Sequence, residues 1–224
     1  MQRREFTSLL SLGALGAAGS LVTLPALAQQ AEPVEGRDYL RLNPPVPTPS
    51  GKLELIEFFW YACPHCYHFD PLLRQWLAHL PGDVSFRREH VAFNAMQRSH
   101  QRLFYALDAI GEEARWHEQI FEAFHQGRVN YDDPESPLKL MASLGADMPK
   151  LRQAWDSFGV QSRCAQAVRL TEAYNFEGVP ALGVAGRFMT APYMAGPAGS
   201  DETLLGRRAL VITDHLIGLA RGKA

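Results

Sequence analysis

Apolar and polar positions in the first half of the chain predict a strand, a helix and a second strand. Residues 53–60 are almost continuously apolar, which is typical of a buried central strand in a parallel sheet. A helical pattern then runs from Cys63 to about residue 80, and residues 84–93 indicate the second strand. Residues 29–51 are polar and rich in proline, so we expect an extended or edge segment there.

Residues 95–159 have a different pattern, with apolar side chains repeated at helical spacing and no strand signal. They predict several short helices that form a compact insert. The remainder of the chain returns to a mixed pattern. It predicts a helix over residues 160–174, strands over 181–184 and 187–190 joined by a tight turn at Ala185 and Gly186, and a helix over about 201–220.

Residues 1–28 predict a cleaved signal peptide. A basic start is followed by an apolar stretch over residues 9–24, and residues 26–28 fit an A-x-A cleavage site. A transmembrane anchor is the alternative, but the apolar stretch is short and is ended by Pro25. The paired arginines at residues 3–4 also resemble a twin-arginine signal, so the export route, Sec or twin-arginine, stays open.

Charge and cysteine content narrow the functional classes. The formal net charge is −2, so there is no electrostatic reason to expect binding to nucleic acid or to an anionic membrane. An exported chain reaches a compartment in which thiols oxidise, yet this chain has only three cysteines, Cys63, Cys66 and Cys164. Three cysteines are too few for a disulfide scaffold. The close pair is therefore either a local structural bridge or a redox couple.

Cys63 and Cys66 lie where the first predicted strand meets the first predicted helix. A dithiol at such a junction is typical of a thioredoxin-like fold. Together with the order of the elements, it predicts an α/β chain with a thioredoxin fold and an inserted helical domain. Residues 29–94 and 160–224 would form the thioredoxin-like domain, and residues 95–159 would form the insert.

The position of the pair on the helix predicts its chemistry. Cys63 is expected at the N-cap, where free backbone N–H groups and the helix dipole stabilise a thiolate. Pro64 suits the first turn because it has no N–H, and a charged His65 would further stabilise the thiolate. A lower thiol pKa stabilises the reduced form, which makes the disulfide form a stronger oxidant. Cys66, one turn further on, is expected to be more buried and to act as the resolving cysteine.

Three other interpretations of the pair are weaker. A structural disulfide that closes so small a loop constrains the unfolded chain little. A zinc site would need a second pair of ligands, but Cys164 is isolated and His68 has no partner at ligand spacing. A c-type haem site needs histidine directly after the second cysteine, where this chain has Tyr67. We therefore expect no metal and no organic cofactor.

Three motifs stand out in the sequence: Phe58-Phe59 followed by Cys63-Pro64-His65-Cys66-Tyr67, then His90-Val91-x-Phe93, and Gly178-Val179-Pro180-Ala181 with a following glycine. Together they resemble the DsbA family of periplasmic thiol:disulfide oxidoreductases, and the first of them resembles its active site. The likeness covers roughly residues 36–220 and departs from the family pattern at residues 60–62, at Cys164 and at Ala185, where asparagine is common. None of these positions carries the chemistry.

This resemblance implies a mechanism and partners. Val179 and Pro180 would form a cis-proline loop that lies against the dithiol and pairs with an extended substrate. The protein would be a periplasmic dithiol oxidant that donates the Cys63–Cys66 disulfide to newly exported, unfolded or partly folded proteins with free thiols. A quinone-linked membrane protein of the DsbB type would reoxidise it. We expect a monomer that binds no nucleic acid.

Two alternatives to this function stay open. The first is a disulfide reductase or isomerase of the same fold. Isomerases of this kind typically carry a dimerisation domain ahead of the catalytic one, and only about two dozen residues are expected between the signal peptide and the first strand. The second alternative is a non-catalytic periplasmic chaperone in which the cysteine pair is a structural bridge.

Glu57 interrupts the apolar first strand, so we expect it to be partly buried, with a raised pKa unless it is paired. Two interpretations stay open. The carboxylate could accept a proton and so help to ionise Cys66 when a mixed disulfide is resolved. Alternatively, it could belong to a structural ion pair, with Arg88 of the neighbouring strand as the candidate cation.

Cys164 is expected to be a small buried hydrophobic residue, with a regulatory or pairing role as the alternative. Six other histidines show no metal-ligand spacing, and we expect them on helix or strand surfaces. His90 is a candidate exception because it matches the family pattern. The six are His79, His90, His100, His117, His125 and His215.

Overall fold

A computed structural model describes residues 32–49, 51–127, 129 and 133–222. The predicted signal peptide, residues 1–28, lies outside these ranges. Among the helices of the described residues, none has the length and apolar character needed to cross a membrane.

Five strands of the described residues form one mixed sheet: β1 (Leu40–Arg41), β2 (Leu53–Phe59), β3 (Val84–His90), β4 (Ala181–Val184) and β5 (Phe188–Thr190). Their order across the sheet is β1-β5-β4-β2-β3, so β2 is an internal strand between β4 and β3. It pairs in parallel with β3 but antiparallel with β4, so the strand is internal, as its buried pattern predicts, but the sheet is not purely parallel. From Glu54 onwards every residue of β2 is buried, which explains the unbroken apolar pattern.

Seven α-helices complete the described chain: α1 (Pro64–Leu77), α2 (Ala95–Ala109), α3 (Glu113–His125), α4 (Ser136–Ser143), α5 (Met148–Trp155), α6 (Phe158–Tyr174) and α7 (Glu202–Ala220). Four of them, α2 to α5, lie between β3 and α6 in the chain. The sequence predicts helices without strands in the same place. The division into a thioredoxin-like domain over 29–94 and 160–224 and an insert over 95–159 stays a prediction.

Two elements end three residues earlier than predicted. Strand β3 stops at His90 rather than residue 93, because His90 pairs with Phe59 and β2 provides no partner beyond that residue. Helix α1 ends at Leu77 rather than about residue 80, and the chain turns before Pro81. Both differences shorten an element at its C-terminal end without moving the residues that carry the chemistry.

The core around α1 has two sides. On one side a single cluster of buried side chains joins Cys63 and Cys66 to residues from each of the helices α2 to α6. On the other side α1 packs against α7, with Phe69 and Leu73 of α1 in a buried cluster with Leu210. The helix that carries the cysteine pair is therefore held on both sides by helices that come later in the chain.

A tight turn joins β4 to β5. Ala185 and Gly186 both have positive φ, 54° and 61°, as a two-residue hairpin turn that matches the twist of the strands requires. Gly186 cannot be replaced without a shift, because a Cβ atom there would lie 1.9 Å from the carbonyl oxygen of Val46. The N–H of Val46 donates to the carbonyl of Gly186 at 2.7 Å. This bond, together with the antiparallel pairing of β1 and β5, fixes the proline-rich segment along the sheet edge.

Candidate active site

The cysteine pair lies at the start of α1. Cys63 is the N-cap residue in an extended conformation, and Pro64 is the first helical residue. Both cysteines are thiols in this structure, with Cys63 7% exposed and Cys66 fully buried. An attacking thiolate can therefore reach Cys63 but not Cys66.

The surroundings shift the two thiol pKa values in opposite directions. A hydrogen bond from the Cys66 thiol is the main cause that lowers the pKa of Cys63 to about 6, and backbone N–H groups of α1 and the charge of His65 assist it against burial. Burial raises the pKa of Cys66 well above its usual range, and the negative charges of Cys63 and Glu57 add to this. At neutral pH the pair therefore holds one thiolate, on Cys63, and one proton, on Cys66.

Strand pairing brings a distant loop to the dithiol. Ala181 of β4 lies opposite Phe58 of β2, so the residues just before β4 fall beside the residues just after β2. The Val179–Pro180 peptide bond is cis, and Sγ of Cys63 lies 3.4 Å from the Val179 carbonyl oxygen, which accepts a hydrogen bond from the thiol when Cys63 is protonated. The structure thus places this cis-proline loop next to the Cys63 sulfur, although 116 positions separate Val179 from Cys63 in the chain.

His65 lies on the exposed side of the pair and contacts helix α7. Its Nδ1 atom is 2.6 Å from one oxygen of Glu202, and Nδ1 of His68 is 2.8 Å from the other oxygen. These three side chains line part of a cleft of about 330 Å³ whose wall is mainly apolar and includes Pro180 and Tyr193.

Glu57 has features of both predicted interpretations. Its side chain is 1% exposed, and its Oε2 atom accepts a hydrogen bond from Nε of Arg88 at 2.9 Å, as the ion-pair interpretation expects. Burial nevertheless raises the pKa of Glu57 against the charge of Arg88. The other oxygen, Oε1, is buried and has no hydrogen-bond partner among the described residues. It is therefore able to take a proton.

A buried polar network behind the dithiol was not predicted. Asp70 of α1 contacts Arg88 of β3, with 3.1 Å between Oδ1 and Nη2, and His117 of α3, with 3.2 Å between Oδ1 and Nε2. Nδ1 of His117 lies 3.2 Å from the hydroxyl of Tyr61, in the loop before Cys63. These contacts link β3, α1, α3 and the active-site loop.

The expectation that the remaining histidines lie on surfaces is wrong for His100 and His117, and His90, the candidate exception, is buried as well. His90, His100 and His117 are buried, at 0%, 0% and 4% exposure. The sequence contained a signal for two of these positions: His100 stands three and four residues before the apolar pair Leu103 and Phe104, and His117 has the same spacing from Ile120 and Phe121. Both histidines therefore lie on the apolar face of their helix.

Two of the buried histidines support the loop that leads into Cys63. Nε2 of His90 accepts from the N–H of Tyr61 at 3.3 Å, and Nδ1 of His100 accepts from the indole N–H of Trp60 at 3.0 Å. Burial lowers the pKa of His90 well below its ordinary value and that of His100 to about 4, so both rings are neutral. They hold the loop without adding charge.

Cys164 is half-buried on α6 and lies beside the core cluster rather than in it. Burial raises the pKa of its thiol to about 11, so it is not a thiolate at neutral pH. The structure does not bring it into the dithiol site, and its role stays a prediction.

A thiolate at a helix N-terminus, a buried second thiol and a cis-proline loop beside them define a thiol:disulfide exchange site on a thioredoxin-type sheet. Residues 54–197 match the model of the DSBA-like thioredoxin domain. The chain is 40% identical over 222 residues to the thiol:disulfide interchange protein DsbA of Bordetella pertussis, which covers 99% of this chain and 100% of that protein. It is 37% identical to the Azotobacter vinelandii protein of the same name, over 93% and 95% of the two chains.

Solved structures show the same relationship. The crystal structure of Pseudomonas aeruginosa DsbA matches with a TM-score of 0.76 and 32% identity over 85% of this chain and 95% of that one. The oxidoreductase DsbA of Xylella fastidiosa matches with a TM-score of 0.74 and 30% identity over 85% and 98%. The chain belongs to the DSBA-like thioredoxin domain family. The predicted fold class and enzyme class, thiol:disulfide oxidoreductase, are confirmed, and these relatives support a disulfide oxidant rather than a reductase, an isomerase or a chaperone.

Proposed function

We propose that this protein is a periplasmic dithiol oxidant that donates a Cys63–Cys66 disulfide to exported proteins with free thiols. The contrast between the two thiols carries the proposal. A low pKa at Cys63 stabilises the reduced protein, so the disulfide form gives up its bond readily. The buried Cys66, with its raised pKa, cannot be the sulfur that substrates attack.

The reaction consists of two exchange steps. A substrate thiolate attacks Sγ of Cys63 in the disulfide, the Cys63–Cys66 bond breaks, and Cys66 leaves as a thiolate that takes up a proton. A second substrate thiolate then attacks the substrate sulfur of the mixed disulfide, and Cys63 leaves as a thiolate. Its low pKa makes Cys63 a good leaving group in this second step. Val179 and Pro180 would hold the substrate as an extended chain while both steps occur.

Compartment and partners complete the proposal. The signal-peptide pattern of residues 1–28 supports export to the periplasm, by the Sec or the twin-arginine route. The clients would be unfolded or partly folded exported proteins, whose cysteines are still accessible. Because each donated disulfide leaves a reduced dithiol, an oxidant is needed, and the family resemblance points to a quinone-linked membrane protein of the DsbB type.

The equilibrium of the pair with glutathione tests the proposed function. A Cys164→Ser protein would be equilibrated with glutathione buffers of graded potential, and its free thiols trapped and counted. We expect the pair to stay reduced until the buffer is strongly oxidising. A pair that is already a disulfide in a buffer as reducing as the cytosol would indicate a reductase or a structural bridge instead. A Cys63→Ser protein, in which no disulfide forms within the pair, sets the baseline for trapping.

Replacing Glu57 tests its part as proton acceptor for Cys66. A Glu57→Gln protein should have a higher free energy of unfolding at pH 7, because burial raises the pKa of this carboxyl and makes its ionised form unfavourable, while Arg88 keeps Asp70 as its counterion. Turnover should fall on the order of tenfold or more, because the acceptor is lost. Stability is measured by urea denaturation, and turnover by oxidation of a thiol peptide with oxidised glutathione as the reoxidant, so that every cycle includes the resolving step at Cys66.

Glu54→Gln is the matched control for this variant. Glu54 is a buried carboxylate on the same strand and pairs with Arg87 at 2.8 Å, but its odd spacing from Glu57 points it to the opposite face of the sheet. It should change stability without slowing turnover. Unchanged turnover in the Glu57→Gln protein would exclude the proton-acceptor role.

A further inference from the structure

His117 is a buried, titratable side chain that the two exchange steps do not use. Its side chain is 5% exposed and lies between two carboxylates. Nε2 is 3.2 Å from Oδ1 of Asp70, and Nδ1 is 2.9 Å from Oε1 of Glu113. Nδ1 and the Glu113 carboxylate are close enough to form an ion pair but are not aligned as a hydrogen bond. Nδ1 also lies 3.2 Å from the hydroxyl oxygen of Tyr61.

The charges around His117 extend to the proton-accepting carboxylate. Arg88 bridges Asp70 and Glu57, with 3.1 Å from Nη2 to Oδ1 and 2.9 Å from Nε to Oε2. Nε of Arg74 lies 2.8 Å from the other oxygen of Asp70. Arg74 is itself shared with the exposed Glu118.

Charge balance in this group depends on one proton. Glu118 is 60% exposed, so water screens its charge and it is left out of the balance. The three buried carboxylates, Glu57, Asp70 and Glu113, face two arginines, Arg74 and Arg88, so the group carries an excess negative charge when His117 is neutral. A protonated His117 removes the excess. In a buried site an excess charge is unfavourable, and the most deeply buried of the incompletely paired carboxyls would take up a proton instead. Glu57 and Glu113 each have one oxygen without a hydrogen-bond partner among the described residues. Glu57 is the more deeply buried of the two, with a side chain 1% exposed against 16% for Glu113, so it is the carboxyl that would be protonated.

We propose that His117 is a positioning residue: held as an imidazolium between Asp70 and Glu113, it keeps the Glu57 carboxylate ionised and ready to accept the proton of Cys66. This inference rests on the proposed function, because it concerns the same resolving step. A residue of α3 would then influence the reaction of a dithiol that lies on α1.

The neighbouring groups are consistent with a charged ring. Burial acts to lower the pKa of His117, but the contacts with Asp70 and Glu113 outweigh it, so the pKa lies above its ordinary value. The same contact with His117 helps to hold the pKa of Asp70 below its usual range against burial. His90, the other buried histidine close to Tyr61, is neutral and cannot supply this charge.

The resolving step during reoxidation balances as follows. The thiol proton of Cys66 passes to Glu57, and the resulting thiolate attacks Sγ of Cys63 in its mixed disulfide with a disulfide-bearing oxidant. The Cys63–Cys66 bond forms, the bond between Cys63 and the oxidant sulfur breaks, and the oxidant leaves as a thiolate. The proton on Glu57 is later released to solvent. A neutral His117 would leave Glu57 protonated and unable to begin this step.

The first test measures the protonation of His117 directly in the wild-type protein. Side-chain nitrogen NMR distinguishes an imidazolium from the two neutral tautomers of a histidine ring. We expect His117 of the reduced protein to be an imidazolium at pH 6.5, with a midpoint above the ordinary histidine value of about 6.5. A neutral ring at that pH would overturn the proposal without the need for any variant.

The second test follows the resolving step in variants. Reduced protein is mixed with oxidised glutathione, quenched with acid at intervals, and assayed by mass for the Cys63–glutathione intermediate. In His117→Gln, which keeps a polar side chain but no charge, the intermediate should form at the wild-type rate but persist. The pH midpoint of its decay should rise by about one unit. At a given pH below the midpoint, the decay should therefore be about tenfold slower than in the wild-type protein.

A charge-restoring double variant separates electrostatics from packing. Glu113→Gln added to His117→Gln removes the excess negative charge, so the midpoint should return towards the wild-type value. A purely structural role predicts that the double variant decays no faster than the single one, and that result would overturn the proposal. Failure of the proposed function looks different, since the wild-type protein itself would then form no intermediate with oxidised glutathione or would be oxidised already.

Discussion

Between pH 5 and pH 8 the free energy of unfolding of the reduced protein should rise by about 2.5 kcal/mol more than that of a Cys63→Ser protein. The folded protein lowers the pKa of Cys63 from 9.0 to about 6. A group with a depressed pKa in the folded state stabilises that state fully above its unfolded pKa, and this contribution is lost as the pH falls through the folded value. Over the whole range the contribution reaches about 4 kcal/mol, most of it present by pH 8.

The Cys63→Ser protein is the reference because it shares every other titrating group. Burial raises the pKa of Glu57, and the carboxylate contacts raise that of His117, and both contributions are lost as pH rises. These opposite effects cancel when the two proteins are compared. Urea denaturation under reducing conditions measures the difference, and the absorbance of the thiolate near 240 nm follows the same midpoint. Parallel stability curves for the two proteins would show that Cys63 is not a stabilised thiolate.

Arg88→Met should lower the free energy of unfolding by roughly 3–5 kcal/mol. Arg88 is 14% exposed and pairs with Glu57 and Asp70, whose side chains are 1% and 5% exposed. Removing one member of a buried ion pair leaves the other charges without compensation in a medium that solvates them poorly. Methionine fills much of the same volume, so the loss of stability would come from the missing charge and not from a cavity.

Two further proteins test this explanation of the Arg88→Met loss. In Arg152→Met, the exposed pair with Glu135, 3.8 Å apart, is removed, and stability should change by less than about 1 kcal/mol. Adding Glu57→Gln to Arg88→Met should recover part of the loss, because one of the two stranded carboxylates is gone. A double variant less stable than Arg88→Met would mean that the loss comes from packing instead of charge.

The reactive end of the site could be predicted because its signals are local in sequence. Cys63, Pro64 and Cys66 are adjacent to an apolar strand, and the helix that starts at Pro64 follows from their position. The hairpin of β4 and β5 was also predicted, since Gly186 and short apolar runs on either side are a local pattern. The same is true of the helices between β3 and α6, each of which has its own apolar stripe.

The polar network behind the dithiol could not be predicted in the same way. Asp70, Arg88 and His117 belong to three elements, and a charged residue in a helix or strand usually indicates a solvent-facing position. Their burial depends on tertiary packing. Packing places these three side chains next to one another, where the charge of each is compensated by a neighbour. Only the pairing of Glu57 with Arg88 was foreseeable, because both lie on strands predicted to be neighbours, and it was one of two interpretations left open.

The order of the elements along the chain has a consequence for the protein while it is being synthesised. Strand β2 and both active-site cysteines emerge early, whereas the Val179 carbonyl that faces Cys63, and β4, which covers one edge of β2, come 116 or more positions after Cys63. Until that part has been translated, the central strand keeps an open apolar edge, which is a template for pairing with other chains. A nascent chain that ends before residue 179 thus carries the complete cysteine motif but no assembled site. The dithiol site described above can therefore assemble only after nearly the whole chain has been synthesised.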